Sequence, residues 1–358
     1  MLGDAAHNLH IGDELREQID MLAGDDTVRA EGGDDTVNGG SGDDTINGSA
    51  GDDVLDGGTS EDLVLGGDGD DLAQGGLNAD TINAGLGDDL IYGGSQADPF
   101  SSTEGDSIQA GTGADTVIGS GGGDTVFGGD GDDAVSGGAG NDSLVGEEGS
   151  DRIRGQSGDD VISGLAGSDT INGGVGDDLI YADSSATFDS VDGDVLNGAN
   201  GHDTIIGAKG DDIIAGLGRK DRLHGDDGAD TLNGGSDKDR LQGDAGGDLL
   251  TGGSEKDVFA YRFLSDSAVG DEDVLTDCGN HDFIDLSIMD AKTGQPLDQD
   301  FTLVDAFSGS QGELVVRYDA TGPYAGFTTV RGDVNGDGAA DFVIKIAGDV
   351  HNFNNFIY

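Results

Sequence analysis

Aspartate recurs every nine residues over most of this chain. Asp26, Asp35, Asp44, Asp53, Asp62, Asp71, Asp80 and Asp89 form a first run. Asp106, Asp115, Asp124, Asp133, Asp142, Asp151, Asp160, Asp169 and Asp178 form a second, and Asp194, Asp203, Asp212, Asp230 and Asp248 belong to a third. An ionised carboxylate only accepts hydrogen bonds, and closely spaced carboxylates repel, so a series of this kind is suited to holding hard cations. Calcium matches the donor set, because it takes roughly six to eight oxygen ligands from carboxylates and backbone carbonyls in flexible geometry. Zinc or copper sites draw on histidine or cysteine, and here the 6 histidines show no ligand spacing and there is 1 cysteine.

The elements that position these aspartates follow from the same ruler. Written from Leu22 in blocks of nine (LAGDDTVRA, EGGDDTVNG, GSGDDTING, SAGDDVLDG), the register holds to Gly93, resumes from Ser102 to Ala182, and resumes again from Ser190 to Tyr261, giving 25 units. Insertions at Gly94 to Ser101 and Asp183 to Asp189 separate the blocks. The fifth position is always aspartate and the seventh always apolar, from Val28 and Val37 through to Phe259, while glycine fills the third position in 18 units and the ninth in 20. A stretch such as Thr45-Ile46-Asn47, with one inward side chain between two outward ones, predicts a very short strand. The glycine-rich acidic residues between such strands predict turns, since glycine admits positive φ. Two strands and two turns make a coil of 18 residues, so Asp26, Asp44 and Asp62 stack on one edge. The expected fold is all-β, a parallel solenoid of about 12 coils. One apolar residue in nine is too thin a core to hold it unaided.

Composition agrees. The chain has 358 residues, 74 of them acidic and 16 basic, a net charge of −58, with 34% apolar and 5% aromatic residues. Such a charge disfavours nucleic acid and anionic membranes as partners, and no apolar run is long enough for membrane insertion. The single Cys278 forms no internal disulfide and reads as a small buried side chain. Low hydrophobicity with high charge is the composition of disorder unless something else drives folding. The start, Met1-Leu2-Gly3-Asp4, does not resemble a secretory signal.

Blocks such as GSGDDTING and GDGDDAVSG resemble the RTX nonapeptide GGxGxDxUx, a known calcium-binding repeat. The resemblance implies a parallel β-roll with calcium ions as cofactors, each held between a turn and its same-edge neighbour two units on, by the fifth-position aspartates. It sets an upper bound of 19 such sites. The stretches DVFAYRFLSDS, DFIDLSIMDA, AFSGSQGELVVRY and GDVNGDGAADFVIKIAG resemble the serralysin C-terminal domain. The implied organisation is a cap over residues 1–21, a calcium-binding roll over 22–261 and a serralysin C-terminal-like β domain over 262–358. Within the last, Asp333, Asn335, Asp337 and Asp341 form a DxNxDGxxD pattern that reads as a further calcium loop or as a solvated turn; Ile344 stands where an EF-hand would need glutamate. The end, Asn352-Phe353-Asn354-Asn355-Phe356-Ile357-Tyr358, resembles the uncleaved signal read by type I secretion machinery, and equally suits a final strand. The resemblance therefore implies an extracellular protein.

Two places depart from the pattern. In residues 1–21, Leu15, Ile19 and Leu22 suit a short amphipathic helix, while Ile19 also lies one repeat before Val28; His7 and His10 read as solvent-exposed. In the third block, Lys220, Lys238 and Lys256 recur every 18 residues, and Arg219, Asp237 and Glu255 replace the third-position glycine. Ammonium groups there are expected to stand in for calcium beside Asp221 and Asp239, or else to be ordinary surface lysines.

The sequence contains neither the HExxH of zinc proteases nor a G-x-S-x-G elbow, so no enzyme activity is expected. The first functional reading is a secreted, non-catalytic calcium-binding protein that folds on meeting calcium outside the cell, its partners an extracellular polysaccharide or another secreted protein. The alternatives are a calcium-dependent accessory module of an extracellular enzyme system, such as exopolysaccharide modification, and a surface-binding adhesin. For the adhesin, outward pairs such as Thr36/Asn38 and Thr45/Asn47 begin a regular row that Leu63/Leu65 and Arg152/Arg154 break.

Overall fold

One apolar side chain per nine residues can be buried only if every unit turns it toward the same interior, and that requirement organises the backbone. A computed structural model describes residues 7–96, 103–183, 191–289, 301–350 and 353–357. Most of both insertions, Met1 to Ala6, Asn352 and Tyr358 lie outside the described residues. The chain divides into two compact units, Met1–Phe188 and Asp189–Tyr358. The protein is all-β, a parallel solenoid of about 13 turns in all.

In the first unit, strands pair in parallel with those 18 residues on. Thr36–Ser41 lies beside Val54–Thr59 with Val37 opposite Leu55, and Thr45–Ala50 beside Leu63–Asp68 with Ile46 opposite Val64. Alternate units thus build two sheets whose seventh-position side chains, among them Val37, Ile46, Leu55, Val64 and Ile153, are buried. The insertion after Gly93 leaves this register intact: Ile108 stands opposite Ile82, with a spacing of 26 in place of 18.

Most strands of the roll are six residues long, twice the expected length, while others, such as Thr27–Arg29 and Leu90–Tyr92, have three. The ladder resumes beyond the ninth position at the first and second, where Gly40 pairs with Gly58 and Ser41 with Thr59. The first position takes positive φ whatever its residue: +104° at Gly40, +84° at Ser49, +78° at Leu165. The backbone therefore reverses while its peptides continue to pair with the next coil.

The N-terminal segment forms no helix among the described residues. Leu9–Ile11 pairs with Thr27–Arg29, and Gln18–Asp20 with Thr36–Ser41, so the ladder starts before Leu22. Ile19 is buried opposite Val37, while Leu15 and Leu22 are exposed. His10, expected at the surface, occupies a seventh position opposite Val28 and is buried. A helix of two turns is marginal in water, whereas an open sheet edge offers every amide a partner.

The second unit repeats the roll and carries it past Tyr261. Val274–Leu275 pairs with Leu249–Gly253, and Phe283–Asp285 with Val258–Ala260, after an inserted stretch holding the short 3-10 helix Leu264–Ser267. An antiparallel meander follows: Glu313–Asp319, Phe327–Asp333 and Phe342–Ala347. Its last strand lies beside Val274–Leu275, and Phe356–Ile357 lies beside Phe283–Asp285. Each sheet of the roll is thus extended by a strand from the C-terminal segment. Leu275, Ile284, Phe342, Ile344 and Cys278 are buried here, and the Phe301 and Phe342 rings meet edge to face at 5.9 Å.

The tight spacing of coils makes a direct expectation. Gly140 has φ of +129°, and a Cβ there would lie 1.7 Å from the carbonyl oxygen of Gly122. Gly140→Val is expected to cost about 2–3 kcal/mol, read as a lowered unfolding midpoint in calcium. Ser143→Thr, at an exposed sixth position nearby, should shift it by less than about 0.5 kcal/mol.

Candidate metal centre

In 11 of the 25 units the turn presents two consecutive acidic residues, and the structure sends their carboxylates opposite ways along the stack. The fifth-position carboxylate points inward and back: Oδ1 of Asp44 accepts from the main-chain N–H of Asp26 at 2.7 Å, Asp62 from Asp44 at 2.8 Å, and Asp80 from Asp62 at 2.8 Å. On the opposite edge Asp53 accepts from Asp35 at 2.7 Å, Asp71 from Asp53 at 2.8 Å and Asp89 from Asp71 at 2.8 Å. The fourth-position carboxylate points outward and forward, as where Asp52 Oδ1 accepts from the N–H of Asp70 at 3.0 Å. This second, exposed ladder was not anticipated from the repeat, although the doubled aspartate in units such as GSGDDTING was its visible sign.

The inner ladder collects every fifth-position aspartate named from the sequence. One edge of the first unit carries Asp26, Asp44, Asp62, Asp80, Asp106, Asp124, Asp142, Asp160 and Asp178, bridging the insertion by the 2.8 Å bond from Asp80 to Asp106. The other carries Asp35, Asp53, Asp71, Asp89, Asp115, Asp133, Asp151 and Asp169. In the second unit Asp194, Asp212, Asp230 and Asp248 share one edge and Asp203 begins the other. That second edge corrects the lysine expectation. Asp221, Asp239 and Asp257 are buried in the same ladder, while Lys220, Lys238 and Lys256 are exposed, and no ion pair described joins those lysines to it. The reason is positional: the lysines fill the fourth place, which faces solvent. Two more aspartates complete the edges, Asp273 accepting from Asp248 at 3.0 Å and Asp282 from Asp257 at 3.2 Å. Both keep the signature of aspartate two places before an apolar residue, but a spacing of 25 hid them from a nine-residue ruler.

The second oxygen tests the donor set for a cation. Oδ2 of Asp44, Asp53, Asp62, Asp71, Asp80, Asp124 and Asp133, among others, is buried and accepts no hydrogen bond. Beside it is a space that only glycine leaves open. A Cβ on Gly39 would lie 2.5 Å from Asp44 Oδ2 and 2.6 Å from the carbonyl oxygen of Gly57; at Gly48 the same distances, to Asp53 Oδ2 and Gly66 O, are 2.2 and 2.8 Å. A carboxylate oxygen and a carbonyl oxygen face one small gap, an all-oxygen donor set that suits calcium. Leaving such an anion buried and uncompensated costs several kcal/mol. Protonation relieves it in part. Burial foremost, and then the same-edge carboxylates, push Asp44 and Asp53 up to about 6, Asp62, Asp71, Asp124 and Asp133 to about 7, and Asp80 to about 8, against the opposing pull of the amide hydrogen bond.

The loop of Asp333, Asn335, Asp337 and Asp341 is arranged differently. Asp333 accepts from Gly336 N–H at 2.7 Å and Gly338 N–H at 2.9 Å, and Asp341 from Val334 N–H at 2.7 Å and Asn335 N–H at 3.0 Å. Asn335 Oδ1 accepts from Asp337 N–H at 2.9 Å, and Asp337 from Ala339 N–H at 2.8 Å. One loop holds all four, with their oxygens engaged by its own amides.

These pKa directions set a pH dependence for the metal-free chain. A carboxyl whose folded pKa is raised binds its proton more tightly when folded. Its stabilising contribution is complete below the unfolded value of 3.8 and is lost as pH rises through about 6 to 8. In chelator, any β content read by far-UV circular dichroism is expected to be greatest near pH 5 and to be lost by pH 8, and a rise over that interval would contradict the ladder chemistry.

Comparison with known proteins places the chain. The model of the peptidase M10 serralysin C-terminal family matches residues 34–358. Among solved structures, the chain is similar to the AlgE6R2 subunit of the Azotobacter vinelandii mannuronan C5-epimerase, at 24% identity and a TM-score of 0.29, covering 40% of this chain and 91% of that one. It is also similar to the AlgE6R3 subunit of that epimerase, at 23% identity and a TM-score of 0.26, covering 47% and 80%. No curated protein matches. With the family match running through stacked aspartate turns to the final strand, the chain belongs to the serralysin C-terminal family of RTX calcium-binding repeats, the non-catalytic part of those proteins.

Proposed function

We propose that this chain is a secreted, non-catalytic calcium-binding protein whose roll folds outside the cell. The observation that carries the reading is the set of buried Oδ2 atoms that accept no hydrogen bond, with those of Asp44, Asp53 and Asp62 each facing a glycine and a carbonyl oxygen of the next coil. The ligands are the fifth-position aspartates named above, joined by Asp221, Asp239, Asp257, Asp273 and Asp282; Asp333, Asn335, Asp337 and Asp341 form a further calcium loop once their oxygens turn from the loop amides. The roll of 22–261, with the coils added at either end, is the calcium-responsive part, and 262–358 is the C-terminal β domain. Calcium supplies positive charge between carboxylates that otherwise repel. Where it is scarce, as in the cytosol, the net charge of −58 keeps the chain extended and able to pass a type I secretion channel, with the aromatic C-terminus as signal. Where it is at millimolar levels, binding to the folded form alone draws the equilibrium across by linkage, with site affinities of ~10⁻⁴–10⁻³ M.

A second reading, an accessory module acting on an acidic extracellular polysaccharide, is favoured by one surface feature. Arg152, Arg154 and Gln156 line a shallow cleft with Thr116 and Ser136 on the outer face of a sheet in the first unit. Paired guanidinium groups there suit a sugar carboxylate.

Far-UV circular dichroism in chelator at neutral pH, followed by titration with calcium chloride to several millimolar and magnesium chloride as control, tests the first reading. A cooperative coil-to-β transition in calcium and not in magnesium is expected; a spectrum already β-rich in chelator and indifferent to calcium overturns it. Asp133→Ala removes one carboxylate from the middle of an edge and should raise the calcium midpoint about two- to fivefold.

A further inference from the structure

The second unit holds one cluster that the calcium ladders do not use. Strands Arg222–Asp227 and Arg240–Ala245 lie side by side, with His224 opposite Gln242 and Asp226 opposite Asp244. Potential ligand atoms of His224, Asp226 and Asp244 lie within 4.8 Å of one another, and among the described residues this is where three such side chains converge. Both aspartates fill the first position of their units, a left-handed site with φ of +70° and +64°. Glycine takes that place without strain, as at Gly40 and Gly58, so two consecutive same-edge units have exchanged it for a carboxylate.

The amide of Gln242 is the independent pointer to a ligand. This side chain is 2% exposed, and its Nε2 lies 2.5 and 2.6 Å from the two oxygens of Asp244. Its Oε1 is buried with no hydrogen-bond partner. A half-turn of the amide exchanges Nε2 and Oε1, which sets an oxygen donor where the nitrogen now meets Asp244. The charges agree. The two carboxylates of Asp226 and Asp244 are brought to one place beside the His224 imidazole. An imidazole nitrogen beside carboxylate and amide oxygens is the donor set of a borderline dication, whereas calcium takes oxygen alone.

We propose that His224, Asp226 and Asp244, completed by Gln242, bind one transition-metal dication of the zinc class at a site separate from the calcium edges. The site lies on the first and eighth positions of adjacent coils, not on the fifth, and its occupancy clamps two neighbouring strands next to the helix Leu264–Ser267. It does not depend on how many of the edge aspartates bind calcium.

The test uses the full chain in 10 mM calcium chloride, so that the edges are saturated. Titration with zinc chloride by calorimetry, and with cobalt chloride by visible absorption, should give one ion per chain, with a nitrogen–oxygen ligand-field spectrum for cobalt. His224→Ala and Asp244→Asn are each expected to weaken zinc binding at least tenfold while the calcium-induced circular dichroism is retained. His202→Ala, at an exposed turn, should leave it unchanged. Asparagine tolerates positive φ, so Asp244→Asn remains informative if His224→Ala fails to fold. Binding that occurs only without calcium, binding unaffected by both variants, or no stoichiometric binding would each overturn the proposal.

Discussion

Everything in this molecule depends on a stack of aspartates closer together than carboxylates in water would choose to be. Fifth-position side chains such as Asp44 and Asp62 give one oxygen to an amide 18 residues away, which fixes the pitch between coils, and leave the other buried with no hydrogen bond. The first oxygen is structural and the second is a debt of charge, to be settled by a proton or a cation. That division makes fold and binding one property. On the reading proposed above, the coils approach as the second oxygens are compensated, and the compensating sites form only as the coils approach.

Glycine permits this arrangement for two separate reasons at three positions. The third and first positions need positive φ, which other residues adopt at a cost, as Ser49, Glu147 and Arg219 do. The ninth has no such demand. There the missing side chain leaves room for the carboxylate of the next unit and a carbonyl of the next coil, as at Gly39 and Gly48. The apolar seventh position adds a narrow core, and the fourth-position aspartates run a second ladder at the surface, so a thin unit is held by backbone bonds in both directions.

Much of this was legible in the chain because the repeat is rigid: an aspartate at every fifth place and an apolar residue at every seventh admit one pairing register. What escaped did so where the period breaks. Asp273 and Asp282 sit behind an insertion that changes the spacing to 25, and His10 lies in a unit whose fifth place holds Asn8 rather than aspartate. The lysine edge misled for a different reason. Lys220, Lys238 and Lys256 adjoin ladder aspartates in sequence, but successive residues of a turn face opposite ways, so adjacency placed them in solvent.

By itself the sequence determined the class of fold, the 18-residue register and the acidic edges, because periodicity and charge are local properties that any stacked arrangement must respect. Only the tertiary structure decided which oxygen of an aspartate such as Asp44 is spent on an amide and which is left buried with no hydrogen bond. It alone showed that the ladder runs past both ends of the ruler, and that His224 meets Asp226 and Asp244. Those outcomes rest on which residues of adjacent coils come face to face. A linear spacing constrains that within one repeat and says nothing of it across an insertion.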